Sequence, residues 1–280
     1  MDLFGEPADG PYGRPPGSSV RLPGRCAVWE ASSAVSGFLP STEAFRFSNS
    51  FAAQPLLGAR APGLPWDIGI GDASQGLCGG MIFAVRDLVE ARLDPPPDQT
   101  PPARGSPLYA YLVRRLFDSF DLPRGVARYY GLMRGPDGRS GGRPGVGARS
   151  LAEEWPRIRL DLDAGRLAPL GIVTVRSADP RRLGLNHQVL AYAYHQVGTA
   201  VTVRVYDPNT PNAQADDVTM AFDLAQSGGL AASGAGGSGA VAEPVQIEHS
   251  IAIGARPVRA FFRARYRWTD PRPALRGPPE

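Results

Sequence analysis

The sequence contains no lysine: all 30 basic side chains are arginine, set against 27 acids and 3 histidines for a formal net charge of +3. Arginine rises together with Ala, Gly and Pro, the mark of GC-rich codon usage. The arginines are scattered among the acids rather than gathered into one stripe, which argues against nucleic acid as a partner. Two cysteines cannot build a disulfide framework or a four-cysteine zinc site. A metal site from three histidines and scattered acids is possible, but no His-x-x-x-His spacing supports it, and neither a metal nor a cofactor is expected. The Gly-rich stretches lack both a phosphate-loop pattern and the lysine that such a loop needs. No apolar run approaches the ~20 residues of a membrane span. The opening residues, MDLFGEPADG, have no basic n-region and no apolar h-region, so no secretory signal is read. The expectation is a cytoplasmic protein, with export by a signal-less route left open.

What is present in excess is Gly (34) and Pro (29), between a fifth and a quarter of the 280 residues, alongside an ordinary 42% of hydrophobic residues. Both hold if Gly and Pro are concentrated in loops around a core. Residues 1–22 read as a flexible arm and residues 52–72 as an extended approach. A helix is predicted from Cys78 to about Leu93, with Met81, Ile82, Val85, Leu88 and Val89 on one face. Ser106-Pro107 reads as an N-cap followed by Pro at the first helical position, opening a second helix. A short helix follows from Pro123 to Met133, and Ser150 with Glu153 reads as a capping box opening a helix to about Gly165. The character then changes to strands: residues 170–175, a hairpin of 187–197 and 201–206 turning at Gly198-Thr199, then 218–224, 244–253 and 258–268. Residues 226–239 are Gly/Ala/Ser-rich and read as a surface loop. Helices first and strands second argue an α+β fold. The predicted domain spans 23–270, with a helical half over about 73–166, a sheet half over about 167–268 and a loose tail at 271–280.

The segment richest in chemistry is Ser74-Gln75-Gly76-Leu77-Cys78-Gly79-Gly80-Met81. A thiolate at a helix start is stabilised by the partial positive charge and free N–H groups there. Those N–H groups suit an oxyanion hole, and the small neighbours leave room for a substrate at the sulfur. A base must be His187, His195 or His249. His187 opens a strongly β segment, and His195 lies on the same strand face if the strand is regular. The next strand ends in Asp207-Pro208-Asn209. In a hairpin, Asp207 comes near the level of His187 and can orient it; Asn209 is the alternative. Each element also has a plain reading. A lone Cys is usually a small buried residue, Gly79 and Gly80 would let a helix pack tightly, and Asp-Pro-Asn is ordinary turn chemistry. Cys26, His195 and His249 read as structural, packing or surface residues.

A Cys at a helix start, a His opening a strand and an Asp-Pro closing the next strand resemble a papain-like cysteine peptidase. The nearest flavours are the bacteriocin-processing type and the bacterial effector proteases. The resemblance covers about residues 70–210 in order of elements. It implies a papain-like fold, with the N-terminal helical half packed on a C-terminal antiparallel β-sheet. It also implies Cys78 as nucleophile, His187 as base and Asp207 as orienting acid, with a peptide or protein as substrate. Two departures stand out: the position six residues before the Cys, usually the oxyanion Gln, is Asp72, leaving Gln75 as the nearby Gln, and the Cys-Gly-Ser-Cys-Trp signature is absent. The function expected is a Cys-His-Asp hydrolase, a peptidase or amidase working through an acyl-enzyme. The alternative is a non-catalytic papain-like interaction module, for which Arg263, Arg265 and Arg267, alternating along a predicted strand, would supply one basic face.

Overall fold

In the computed structural model, the described residues are 29–51, 77–227, 244–253 and 255–276. The expected arm (1–22), Cys26, the extended approach (52–72), Gln75 and most of the 226–239 loop lie outside them. Mixed helix and strand surround a curled antiparallel sheet. The strands are β1 (Glu30–Ala34), β2 (Ala168–Val173), β3 (His187–Val197), β4 (Ala200–Tyr206), β5 (Thr219–Asp223), β6 (Ile247–His249) and β7 (Ala260–Arg263). Their order is β6-β5-β4-β3-β2-β7, and β1 pairs with β3 off this path. The helices are α1 (Pro40–Glu43), α2 (Cys78–Ala91), α3 (Pro107–Ser119), α4 (Arg124–Arg134), α5 (Val146–Arg149), α6 (Trp155–Asp163) and α7 (Arg272–Leu275). None of them is long and apolar enough to cross a membrane.

The eleven-residue β3 organises the sheet. Its first half pairs with β2 (Ile172↔His187 to Ala168↔Ala191), and its second half pairs on the same side with β1 (Ala34↔Ala193 to Glu30↔Val197). On its other edge it forms the hairpin with β4, closed at Gly198, whose φ of 59° suits a residue without a Cβ. The β3–β4 register slips by one between Ala191 and Ala193, a bulge that reverses the side-chain parity of everything beyond it. β2 is buried along its whole length: Ile172 belongs to the main core, and Val173 to a smaller one with Tyr129, Met133 and Phe262.

Helix α2 packs on β3 and on α3, and its glycines decide how closely. A Cβ on Gly80 would stand 2.1 Å from the Leu112 carbonyl oxygen of α3. One on Gly79 would stand 2.2 Å from Ser119 Oγ and 2.7 Å from Gln188 Nε2. The glycines therefore do not hold space open for a substrate; they are filled by neighbouring chain, and the close-packing reading applies. Gly80→Ala should cost roughly 1–3 kcal/mol, since backbone cannot yield as a side-chain tip does. Gly131→Ala in α4, with nothing within 4 Å of its Cβ, should gain up to about 1 kcal/mol from helix propensity. Urea unfolding of both variants checks the pair; equal midpoints would show that α2 and α3 have slack.

Four sequence expectations need correction. Ser150 is not an N-cap. The helical run begins at Val146 and passes through a π-helical turn, Ser150–Glu154, into α6. The Ser150 hydroxyl donates to Val146 O (3.1 Å) and accepts the Phe261 N–H (3.0 Å), tying the helix to β7. The expected strand 258–268 shrinks to β7 because the chain leaves the sheet after Arg263. Its next stretch is gripped by Asp87 in α2, which accepts from Tyr266 Oη (2.7 Å) and Thr269 N–H (3.0 Å). Arg263 pairs with Asp161, and the Arg267 carbonyl accepts from Arg115, so no alternating basic strand face forms. The expected loose tail begins instead with α7, where Ala274 is buried against the main core.

Candidate functional site

Cys78 is the first residue of α2, a free thiol only 8% exposed. Leu77 caps the helix without a side-chain bond, and the first intrahelical bond is Met81 N–H to Leu77 O. The N–H groups of Cys78, Gly79 and Gly80 therefore lie outside the helix ladder.

Strand parity delivers the partners. His187, Val189 and Ala191 alternate onto one face of β3, and Ala191 lies opposite Val205. Asp207, two residues past Val205, shares that face and falls diagonal to His187. Their contact is direct: His187 Nε2 stands 2.8 Å from Asp207 Oδ1, with both side chains buried. An ionised carboxylate only accepts, so Nε2 carries the proton, and Nδ1 is the nitrogen left for the thiol. Cys78 lies near enough to the same ring to act on its charge. The structure thus brings Cys78 close to the bonded pair His187–Asp207.

Burial opposes charge on His187, but Asp207 and Cys78 beside it outweigh burial and hold the ring well above the ordinary histidine range. Burial would likewise raise Asp207; His187, the Asn209 N–H and His249 together pull it below the usual carboxylate value. Tyr129, under the site, donates its phenol to the His187 carbonyl (3.2 Å). Burial, with Cys78 nearby, pushes that phenol far up, so it stays protonated.

Asn209 does not orient the histidine. Its N–H donates to Asp207 Oδ1 (2.8 Å), and its side-chain oxygen accepts from Asn49 Nδ2 (2.9 Å). No motif or spacing marks Asn49 in the sequence, yet it stitches the site together. Its Oδ1 accepts the Leu77 N–H (2.7 Å), and its own N–H donates to Pro208 O (2.7 Å). One side chain thereby joins the residue before Cys78 to the turn after Asp207. His195 is turned away. Beyond the bulge it pairs with Thr202, on the opposite face from His187, and bonds Glu30 (2.8 Å) at the exposed edge. His249, expected to be a packing or surface residue, has its side chain buried, with Nε2 3.6 Å from Asp207 Oδ2. It arrives there by register: His249 lies opposite Met220, which lies opposite Val203 on the face of Asp207.

Among the described residues no group of His, Cys, Asp and Glu side chains could hold a metal ion. Compared with known proteins, the chain matches no family model, no curated protein and no solved structure.

Proposed function

We propose that this protein is a papain-like cysteine hydrolase acting on an amide or ester carbonyl. The observation that carries this reading is the buried His187–Asp207 pair with Cys78 beside it at the start of a helix, an arrangement that holds His187 above the ordinary histidine range against its burial. The Cys78 thiolate attacks the carbonyl carbon, forming the S–C bond while the oxygen takes the negative charge. The N–H groups at the start of α2 face that charge. His187 gives its proton to the leaving group as the C–N or C–O bond breaks, leaving a thioester on Cys78. Water then loses a proton to His187 and adds to the thioester. Collapse of that adduct releases a carboxylic acid and restores the thiolate–imidazolium pair. A peptide or protein amide is the substrate class proposed.

Iodoacetamide tests the site without a known substrate. At pH 6 an ordinary thiol, with a pKa near 8.5, is almost wholly protonated and alkylates slowly. Cys78 should alkylate at least tenfold faster than a thiol in the unfolded chain, with the labelled residue mapped by mass spectrometry. His187→Ala should abolish the advantage. Labelling no faster than in the unfolded chain would sink the hydrolase reading.

A further inference from the structure

Asp207 has two oxygens, and the proposed triad uses one. Oδ1 takes His187 Nε2 and the Asn209 N–H, both at 2.8 Å. Oδ2 is buried with no hydrogen-bond partner, and so is His249 Nε2, the atom facing it at 3.6 Å. Two buried orphan atoms that face each other are each other's natural partner, and leaving either unmet is costly. The tautomer follows from the far side of the ring. His249 Nδ1 can accept the Ile251 N–H (3.3 Å) or donate to Ile251 O (3.1 Å). Donation would leave a bare Nε2 lone pair aimed at a carboxylate in a dry interior. Acceptance leaves the proton on Nε2, pointing at Oδ2, where it satisfies both orphans once the gap closes by a few tenths of an ångström.

We infer that His249 is a fourth member of the site. It is a positioning residue that holds Asp207 by its second oxygen, so that the first stays aimed at His187. The inference rests on the hydrolase reading, because the benefit of a fixed Asp207 is a fixed, charged His187. Asp207 and His187 are the charged groups acting on His249. A neutral ring with its proton on Nε2 supports the Asp207 carboxylate without competing with His187 for its charge.

The test uses two amides that imitate one ring nitrogen each. In His249→Gln the side-chain amide reaches the Nε2 position and keeps a donor toward Oδ2. In His249→Asn it reaches only the Nδ1 position and loses that donor. Alkylation of Cys78 by iodoacetamide at pH 6 should fall about tenfold in His249→Asn and stay within about threefold of wild type in His249→Gln. A purely structural role would slow both variants alike, in step with their melting temperatures. Nitrogen-15 imidazole spectra of the wild-type protein give a second, substitution-free measurement: His249 should carry its proton on Nε2. Equal rates in wild type and His249→Asn, or a proton on Nδ1, overturn the inference while the triad stands if His187→Ala is still slow. If wild-type Cys78 reacts no faster than an unfolded-chain thiol, the hydrolase reading fails and this inference fails with it.

Discussion

Asp207→Asn will slow alkylation of Cys78 at pH 6 by on the order of 10²–10³-fold while the chain remains folded. The size comes from charge, not shape. The asparagine keeps an oxygen for the Asn209 N–H, now 2.8 Å from Oδ1, but presents no negative charge to the imidazolium. At an effective dielectric constant of about 20, a unit charge about 4 Å away is worth about 4 kcal/mol, or roughly three pKa units. Relaxation around the new side chain trims this toward the lower figure. A variant alkylating at the wild-type rate would show that Asp207 does not act on the thiol through His187. The same pair shapes stability against pH. The folded pKa of His187 is raised, so its contribution is full below 6.5 and is lost as the pH rises through the folded value. That of Asp207 is lowered, so its contribution is full above 3.8 and is lost as the pH falls through the folded value. The stability gap between wild type and Asp207→Asn should therefore be widest between those two ordinary values and narrow on either side.

Asp87→Ala will lower the melting temperature by roughly 6–20 °C, corresponding to about 3–5 kcal/mol in a domain of this size. Asp87 is fully buried and accepts from Arg115 Nε (2.7 Å) and Nη2 (3.1 Å), Tyr111 Oη (2.8 Å), Tyr266 Oη (2.7 Å) and the Thr269 N–H (3.0 Å). Arg115 is itself only 1% exposed. Removing the carboxylate strands a guanidinium away from most of the water that would solvate it, and Asp118, half exposed at 2.7 Å from Nη1, is left as its ion-pair partner. The same deletion releases the chain between Tyr266 and Thr269 from α2, opening one flank of the helix that carries Cys78. Arg149→Ala is the contrast: its pair with Glu153 is 3.6 Å long and about half exposed on both sides, so its melting point should not move measurably. A thermal scan of both variants decides. A small shift for Asp87→Ala would mean that solvent reaches Arg115 once the carboxylate is gone.

Where period and punctuation were strong, the fold could be read in the sequence. Helix α2 was legible from its apolar spacing and α3 from Ser106, whose hydroxyl does accept the Tyr109 N–H (3.2 Å). The β3–β4 hairpin was legible from two β-rich runs meeting at a glycine. Strand β1, Glu-Ala-Ser-Ser-Ala, was not. It has no large apolar residue and is half exposed, and it is a strand only because the outer half of β3 offers it an edge. Ser150 and Glu153 matched a helix start in type and spacing, but a buried hydroxyl serving Phe261 outweighed the local pattern. At the site, Cys78, His187 and Asp207 could be grouped because each sits at a recognisable place on its element. Asn49 and His249 could not. Each is a single polar residue with no spacing signal, and each reaches the site through contacts between segments distant in sequence.

The bulge in the middle of β3 bears on which changes of length this protein tolerates. Substitutions along the strand act locally, but the extra residue near Tyr192 is what lets the inner half turn His187 toward Asp207 while the outer half keeps Tyr194 in the core and His195 in water. Deleting one residue there would restore a regular ladder and force a choice. Either the outer half keeps its register with β1 and the inner half rotates His187 out of the site, or the reverse. Sequence drift at β3 should therefore be closed to insertion and deletion even at positions where a substitution is tolerated. The loop outside the sheet at 94–105 carries no such constraint, and there the chain can change length without turning any side chain over.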